Sequence, residues 1–219
     1  MIKNLIFDFD GVLVDSEILV GKAFSKYLQS LGFNFNEKDF YKYAGKKTIQ
    51  VVSDLSDKYF IKDKEKFYKD IMSISLEIYS NDLTIIPGAY EYIEKSKRNL
   101  FIGSNSIKLR ILKGLKKVQL DKFFNKSKIF SFDMVKNPKP YPDIYIKVIE
   151  SNQLEKKETV IIEDSPVGVQ AGIAAGINVI GITAGSHWTQ NRSDKQLIDS
   201  GAIHVISNFK YLDKILKDL

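Results

Sequence analysis

The sequence predicts an α/β protein, a parallel sheet with crossover helices that is interrupted after its first strand by a small helical domain. Three observations predict it. A short apolar run, Leu5-Ile6-Phe7, ends abruptly in Asp8 and Asp10. The stretch from about residue 16 to 85 carries helical periodicity with hardly any strand signal. From Ile85-Ile86-Pro87-Gly88 onward, strand-like and helix-like segments alternate. The expected division is therefore a core of residues 1–15 and 86–219, with residues 16–85 as the helical insertion.

Each element follows from its pattern. The first strand is uniformly apolar, as a strand buried on both faces must be. Residues two apart point to the same side of an extended chain, so Asp8 and Asp10 can face one ligand, and Gly11 then allows a sharp turn. In the insertion, Leu19, Ala23, Phe24, Tyr27, Leu28 and Leu31 recur at spacings of three and four, and Gly32 closes that helix. Further helices are expected over 37–43, 46–55 and 64–79. Beyond it, a helix over 89–97 precedes strands over 100–103, 128–130, 159–162, 178–182 and 203–205. Gly168, Gly172 and Gly176 recur through an Ala-rich helix whose apolar stretch is too short for a membrane, so they read as close packing of helix on sheet.

Composition narrows the function. With 44% hydrophobic and 27% charged residues, the 219-residue chain is globular rather than disordered. It holds no cysteine, which excludes disulfides, thiolate metal sites and a thiol nucleophile. Lys3 precedes only a brief strand that runs into Asp8, fitting neither a signal peptide nor a membrane span, so a cytoplasmic location is expected. The net charge of +6 raises the question of nucleic acid, but Arg98, Arg110 and Arg192 are the only arginines. Because arginine supplies most bidentate contacts to bases and phosphates, a solvated lysine-rich surface is the better reading.

The chemistry lies at strand ends, where an open parallel sheet places its ligands. Asp8 and Asp10 read either as turn formers or as a pair in which one acid attacks and the other moves a proton. Ser104-Asn105-Ser106 follows a strand, and reads either as a helix cap or as a grip for phosphoryl oxygens. In Asn137-Pro138-Lys139-Pro140-Tyr141-Pro142-Asp143 the prolines stiffen the approach to Lys139, whose ammonium can balance carboxylate and phosphate charge. Val160-Ile161-Ile162 ends in Glu163 and Asp164, with Pro166 suited to a helix start. Two acid pairs at two strand ends make an oxygen-ligand cation site, for which Mg2+ is the natural occupant. Of the two histidines, His204 reads as packed within a strand, whereas His187, beside Trp188, follows a strand and is a candidate for substrate contact.

These motifs together resemble the haloacid dehalogenase superfamily, in the branch of beta-phosphoglucomutase and related sugar-phosphate phosphatases. The resemblance implies a Rossmann-like core and an inserted helical cap. It implies Asp8 as a nucleophile that forms an aspartyl phosphate, and Asp10 as general acid and then base. It implies phosphate binding by Ser104, Asn105 and Lys139, with Mg2+ held by Asp8, the Asp10 main-chain carbonyl, Glu163 and Asp164. Glu17, Gly45, Lys46 and Lys47 of the cap would face the rest of a small phosphorylated substrate. Val20 stands where beta-phosphoglucomutase has a cap histidine, which favours a phosphatase over a mutase. Asp10 disfavours a dehalogenase, since that branch matches only at Asp8. A receiver-type signalling module would have no helical insertion after its first strand, and a non-catalytic scaffold would not need these four motifs together. Neither nucleic acid nor membrane is an expected partner; monomer and dimer are left open.

Overall fold

The computed structural model describes residues 1–43, 48–188 and 192–219. It divides into two compact units, Met1–Asp15 with Thr84–Leu219, and Ser16–Leu83.

The first unit begins with β1 (Asn4–Phe7), whose residues are all buried. Burying each of Leu5, Ile6 and Phe7 contributes about 1.5–3 kcal/mol, which is why the most apolar run takes the centre of the sheet. The remaining elements alternate as α5 (Ala89–Lys95), β2 (Asn99–Ser104), α6 (Lys108–Lys117), β3 (Ile129–Ser131), α7 (Asp143–Asn152), β4 (Thr159–Glu163), α8 (Pro166–Ala174), β5 (Asn178–Ile182), α9 (Lys195–Asp199), β6 (His204–Ile206) and α10 (Leu212–Lys217). Among the described residues the sheet has six strands in the order β3-β2-β1-β4-β5-β6, all parallel. Leu5 stands opposite Leu100 on one side and Val160 on the other. The strand order reverses at β1, so the crevice beyond its carboxyl end is where such a sheet opens to a ligand.

Alternation along β1 feeds two cores. Ile6 joins Phe101, Phe130, Ile144, Tyr145, Val148, Ile161 and Val169 on one face. Phe7, on the other, meets Tyr92 of α5 and Phe209 at ring-centroid distances of 6.4 and 6.3 Å. A methyl group at Gly172 would overlap Val179 and Ile161, so this small residue sets how closely α8 lies on the sheet. After β1, residues 13–15 run antiparallel to 84–86, through Ile86 N–H to Leu13 O at 3.0 Å and Asp15 N–H to Thr84 O at 2.9 Å. The chain thus leaves and re-enters this unit side by side.

The second unit comprises α1 (Glu17–Ser30), α2 (Glu37–Phe40), α3 (Thr48–Tyr59) and α4 (Lys64–Asp82). Its own core gathers Phe24, Leu28, Phe35, Phe40, Val51, Leu55, Phe67 and Ile71, with Phe24 stacked on Phe40 at 5.2 Å and Tyr27 on Phe67 at 4.7 Å. Asp63 caps α4 by accepting the Lys66 N–H. α3 runs past the expected Leu55 to Tyr59, where Phe60 turns left-handed at φ 57° and Ile61 N–H reaches back to Ser56 O.

His204 departs from the reading of a packed histidine. It opens β6, an edge strand with no neighbouring strand on one flank among the described residues, and its side chain is exposed. No helix among the described residues is long and apolar enough to cross a membrane.

Candidate active site

Asp8, Lys139, Glu163 and Asp164 are drawn from three distant parts of the chain to the carboxyl ends of β1 and β4. Asp8 continues β1 by one residue, its N–H donating to Ile162 O at 2.9 Å. The Lys139 ammonium lies 2.7 Å from Asp8 Oδ1 and 2.6 Å from Glu163 Oε1, and 4.8 Å from the centroid of the Tyr145 ring. All of these side chains are buried. Burial opposes the charge on Lys139, but the Asp8 and Glu163 carboxylates outweigh it and hold its pKa above the usual lysine value. Burial pushes Asp8 well above the usual carboxylate range; Lys139 pulls against this, and Glu163 and Asp164 add to it. Asp164 is raised in the same way, by burial and then by Glu163.

The backbone is built to seat this cluster. Asn105 grips the Lys139 main chain at both ends, accepting its N–H at 2.9 Å and donating to its carbonyl at 3.3 Å. The Lys139-Pro140 peptide is cis. Gly11 adopts φ +79°, and any side chain there would overlap the Asp164 carboxylate. A methyl at Gly168 would likewise overlap the Glu163 carboxyl group, which lies against the first turn of α8. Ser165 caps that helix by accepting the Gly168 N–H at 3.0 Å, and Pro166 occupies its first turn.

Glu163, one of the expected metal ligands, also accepts several hydrogen bonds. Its Oε1 accepts from Lys139 and, at 2.8 Å, from the Tyr145 hydroxyl; its Oε2 accepts from the N–H groups of Asp164 and Ser165 and from the Ser165 hydroxyl, at 3.1, 3.2 and 3.0 Å. Ligand oxygens of Asp8, Glu163 and Asp164 do lie within 4.8 Å of one another. Yet five donors already occupy Glu163, so direct ligation would have to displace at least one of them. Asp8 and Asp164 are the better donors. Two buried carboxylates with raised pKa values and oxygen-only chemistry suit a hard divalent cation, whose charge would offset their repulsion.

Asp10 has a different setting. Its carboxylate is only part-buried, with Oδ2 accepting from the Ser106 hydroxyl at 2.5 Å and Oδ1 3.0 Å from the Arg110 guanidinium. Ser106 N–H donates in turn to the buried Ser104 hydroxyl at 3.0 Å. After β5, a loop closes on the opposite side, where Ser186 N–H approaches the Asp15 carboxylate at 3.3 Å and His187 Nε2 lies 3.0 Å from Asp164 Oδ2.

The structure thus brings together Asp8, Asp10, Ser104, Asn105, Lys139, Glu163 and Asp164. Asn105, an expected phosphate-binding residue, also holds the Lys139 backbone through its side-chain amide. Glu17 opens α1 in the helical unit. Gly45, Lys46 and Lys47 lie outside the described residues. Sequence reasoning passed over Arg110 and Tyr145 as site residues and saw Ser106 only within the Ser104-Asn105-Ser106 cluster, not as a partner of Asp10. The i, i+4 spacing of Ser106 and Arg110 at a helix start was the one available signal; Tyr145 reads simply as part of an apolar helix face.

A doubly wound sheet with carboxylates at its switch point and a helical insertion after its first strand defines the class. The model for haloacid dehalogenase-like hydrolases matches residues 5–182, and the chain belongs to that family. A phosphorylated carbohydrates phosphatase of Thermotoga maritima is 31% identical over 99% of both chains. Among solved structures, a conserved haloacid dehalogenase-like protein of unknown function from Agrobacterium tumefaciens superposes with a TM-score of 0.88 at 29% identity, covering 100% of this chain and 99% of that one. A putative beta-phosphoglucomutase from Thermotoga maritima does so with 0.84 at 30% identity, covering all of both chains.

Proposed function

We propose that the chain is a Mg2+-dependent phosphomonoesterase acting on a small phosphorylated metabolite, a sugar phosphate or sugar-acid phosphate, through an aspartyl-phosphate intermediate. The observation that carries this reading is the buried Asp8-Lys139-Glu163 array, which fixes one carboxylate beside a cation while a second acid, Asp10, sits two residues away in a wetter setting. Phosphoryl transfer asks for this kind of positioning and charge neutralisation more than for elaborate covalent chemistry.

An Asp8 carboxylate oxygen attacks phosphorus, the bond from phosphorus to the substrate oxygen breaks, and that oxygen takes a proton from Asp10. A water molecule then returns a proton to Asp10 and attacks the same phosphorus, releasing phosphate and restoring Asp8. Lys139 holds Asp8 in place and faces the transferring group, Glu163 and Asn105 hold Lys139, and Ser104 offers its hydroxyl to a phosphoryl oxygen. Asp8, Asp164 and the Asp10 carbonyl would hold Mg2+, which when bound neutralises charge on the phosphoryl group. Substrate selection is assigned to the helical unit, through Glu17, Lys46 and Lys47.

A mutase is the second reading, since one solved relative carries the name of a putative beta-phosphoglucomutase. Val20, at the place of the mutase histidine, packs against the aromatic core of the helical unit, which supports hydrolysis instead. The test is phosphate release from a panel of sugar and sugar-acid phosphates, with and without Mg2+, for wild type and Asp8→Asn. Release that needs Mg2+ and is lost in the variant, by about 10³-fold or more, is expected. Conversion to an isomeric phosphate without release would make it a mutase, and no turnover on any substrate would sink both readings.

A further inference from the structure

We infer that Arg110 and Ser106 are positioning residues for Asp10, holding its carboxyl group on the leaving-group side of the site. The inference rests on the phosphatase reading above.

Both Asp10 oxygens are engaged, and by groups that share one short segment. Ser106 lies in the turn after β2 and Arg110 in the first turn of α6, so the guanidinium and the hydroxyl reach Asp10 from the same anchor. That anchor is fixed at both ends. The Lys108 N–H at the start of α6 donates to Asp133 Oδ1 at 3.2 Å, Ile111 and Leu115 bury the inner face of the helix, and Ser106 N–H is tied to Ser104. The Asp10 backbone is fixed separately, by the Gly11 turn and the Gly11 N–H to Val14 O bond at 2.8 Å. A part-buried carboxyl group on a turn would otherwise sample several rotamers; two bonds from a rigid helix start select one.

In the first step, which forms the aspartyl phosphate, the clasp matters only where a proton must reach the departing oxygen; the later attack of water is the same for every substrate. An alkyl phosphate leaves as a strongly basic alkoxide and needs the acid in place, whereas p-nitrophenyl phosphate leaves as a stabilised phenolate that does not. A residue that merely stabilises the fold, or that grips phosphate, affects both substrates alike.

The test is the rate of leaving-group release in the first turnover, from a hexose 6-phosphate and from p-nitrophenyl phosphate, for wild type, Arg110→Ala, Arg110→Lys and Ser106→Ala. In Arg110→Ala the ratio of alkyl to aryl rates is expected to fall by about 10- to 100-fold, the scale of a misplaced catalytic group. Ser106→Ala should lower the ratio less, and Arg110→Lys, which keeps the charge but not the planar fork, should fall between. An unchanged ratio with both rates reduced, or a rise in KM for both substrates, overturns the inference while leaving the phosphatase standing. Failure of the wild type to release either leaving group instead overturns the phosphatase reading and this inference with it.

Discussion

Asp8 and Asp10 stand two residues apart on one strand end, yet they occupy opposite electrostatic settings. Asp8 is buried, paired with Lys139 and crowded by Glu163 and Asp164; Asp10 is part-exposed and held by Ser106 and Arg110. The first setting is rigid and costly to disturb, because every charge in it depends on another. The second costs little stability to disturb, since water can solvate a lost partner, although it cannot hold the Asp10 carboxyl group in one place. A nucleophile benefits from the first arrangement, and a group that must give up and recover a proton benefits from the second.

Breaking the buried side should have the largest effect. Lys139→Met leaves Asp8 and Glu163 without their cation, and removing one partner of a buried pair costs about 3–5 kcal/mol. Urea unfolding should show a loss of that size together with lost turnover, and an unchanged midpoint would mean that the carboxylates find another partner. The equivalent change on the open side, Arg110→Ala, should leave the midpoint almost where it was, since exposed ion pairs contribute roughly 0–1 kcal/mol. Equal destabilisation by the two variants would erase the contrast between them.

Tyr145→Phe tests how far Glu163 depends on its full set of donors. It removes one hydrogen bond to a charged group, for which about 1.5–3 kcal/mol is expected, with a smaller loss of activity through Lys139. The smallest expected effect has the opposite sign. Asp164 has its pKa raised by burial and by Glu163, so the stability that its proton supplies is present below the ordinary value near 3.8 and is lost as pH rises through the raised one. At neutral pH without a divalent cation the Asp164 carboxylate therefore opposes folding, and Asp164→Asn should melt slightly higher than wild type. Added Mg2+ should stabilise the wild type and leave the variant unmoved. A variant that melts lower without Mg2+ would show that His187 and Arg192 already compensate the charge.

Much of this molecule was legible in the chain itself. Local periodicity determined the elements: the uniformly apolar β1, the alternation beyond residue 86, the amphipathic helices of the insertion and the glycines that let α8 lie close on the sheet. Strand ends with acids marked the site, because a parallel sheet puts its ligand crevice there whatever the rest of the sequence says. Only the tertiary structure decided which donors each acid meets. Glu163 and Asp164 are equivalent letters on one strand end, yet the α8 turn and the Tyr145 hydroxyl fill the oxygens of the first, while the second stays beside Asp8 and His187. Asn105 gained a role in holding the Lys139 backbone, and His204 turned from the core to the solvent at an edge strand, for the same reason. Periodicity reports the direction of a side chain relative to its own backbone. The partner it meets is set by elements tens of residues away, and for hydrogen bonds and buried charges the partner decides the role.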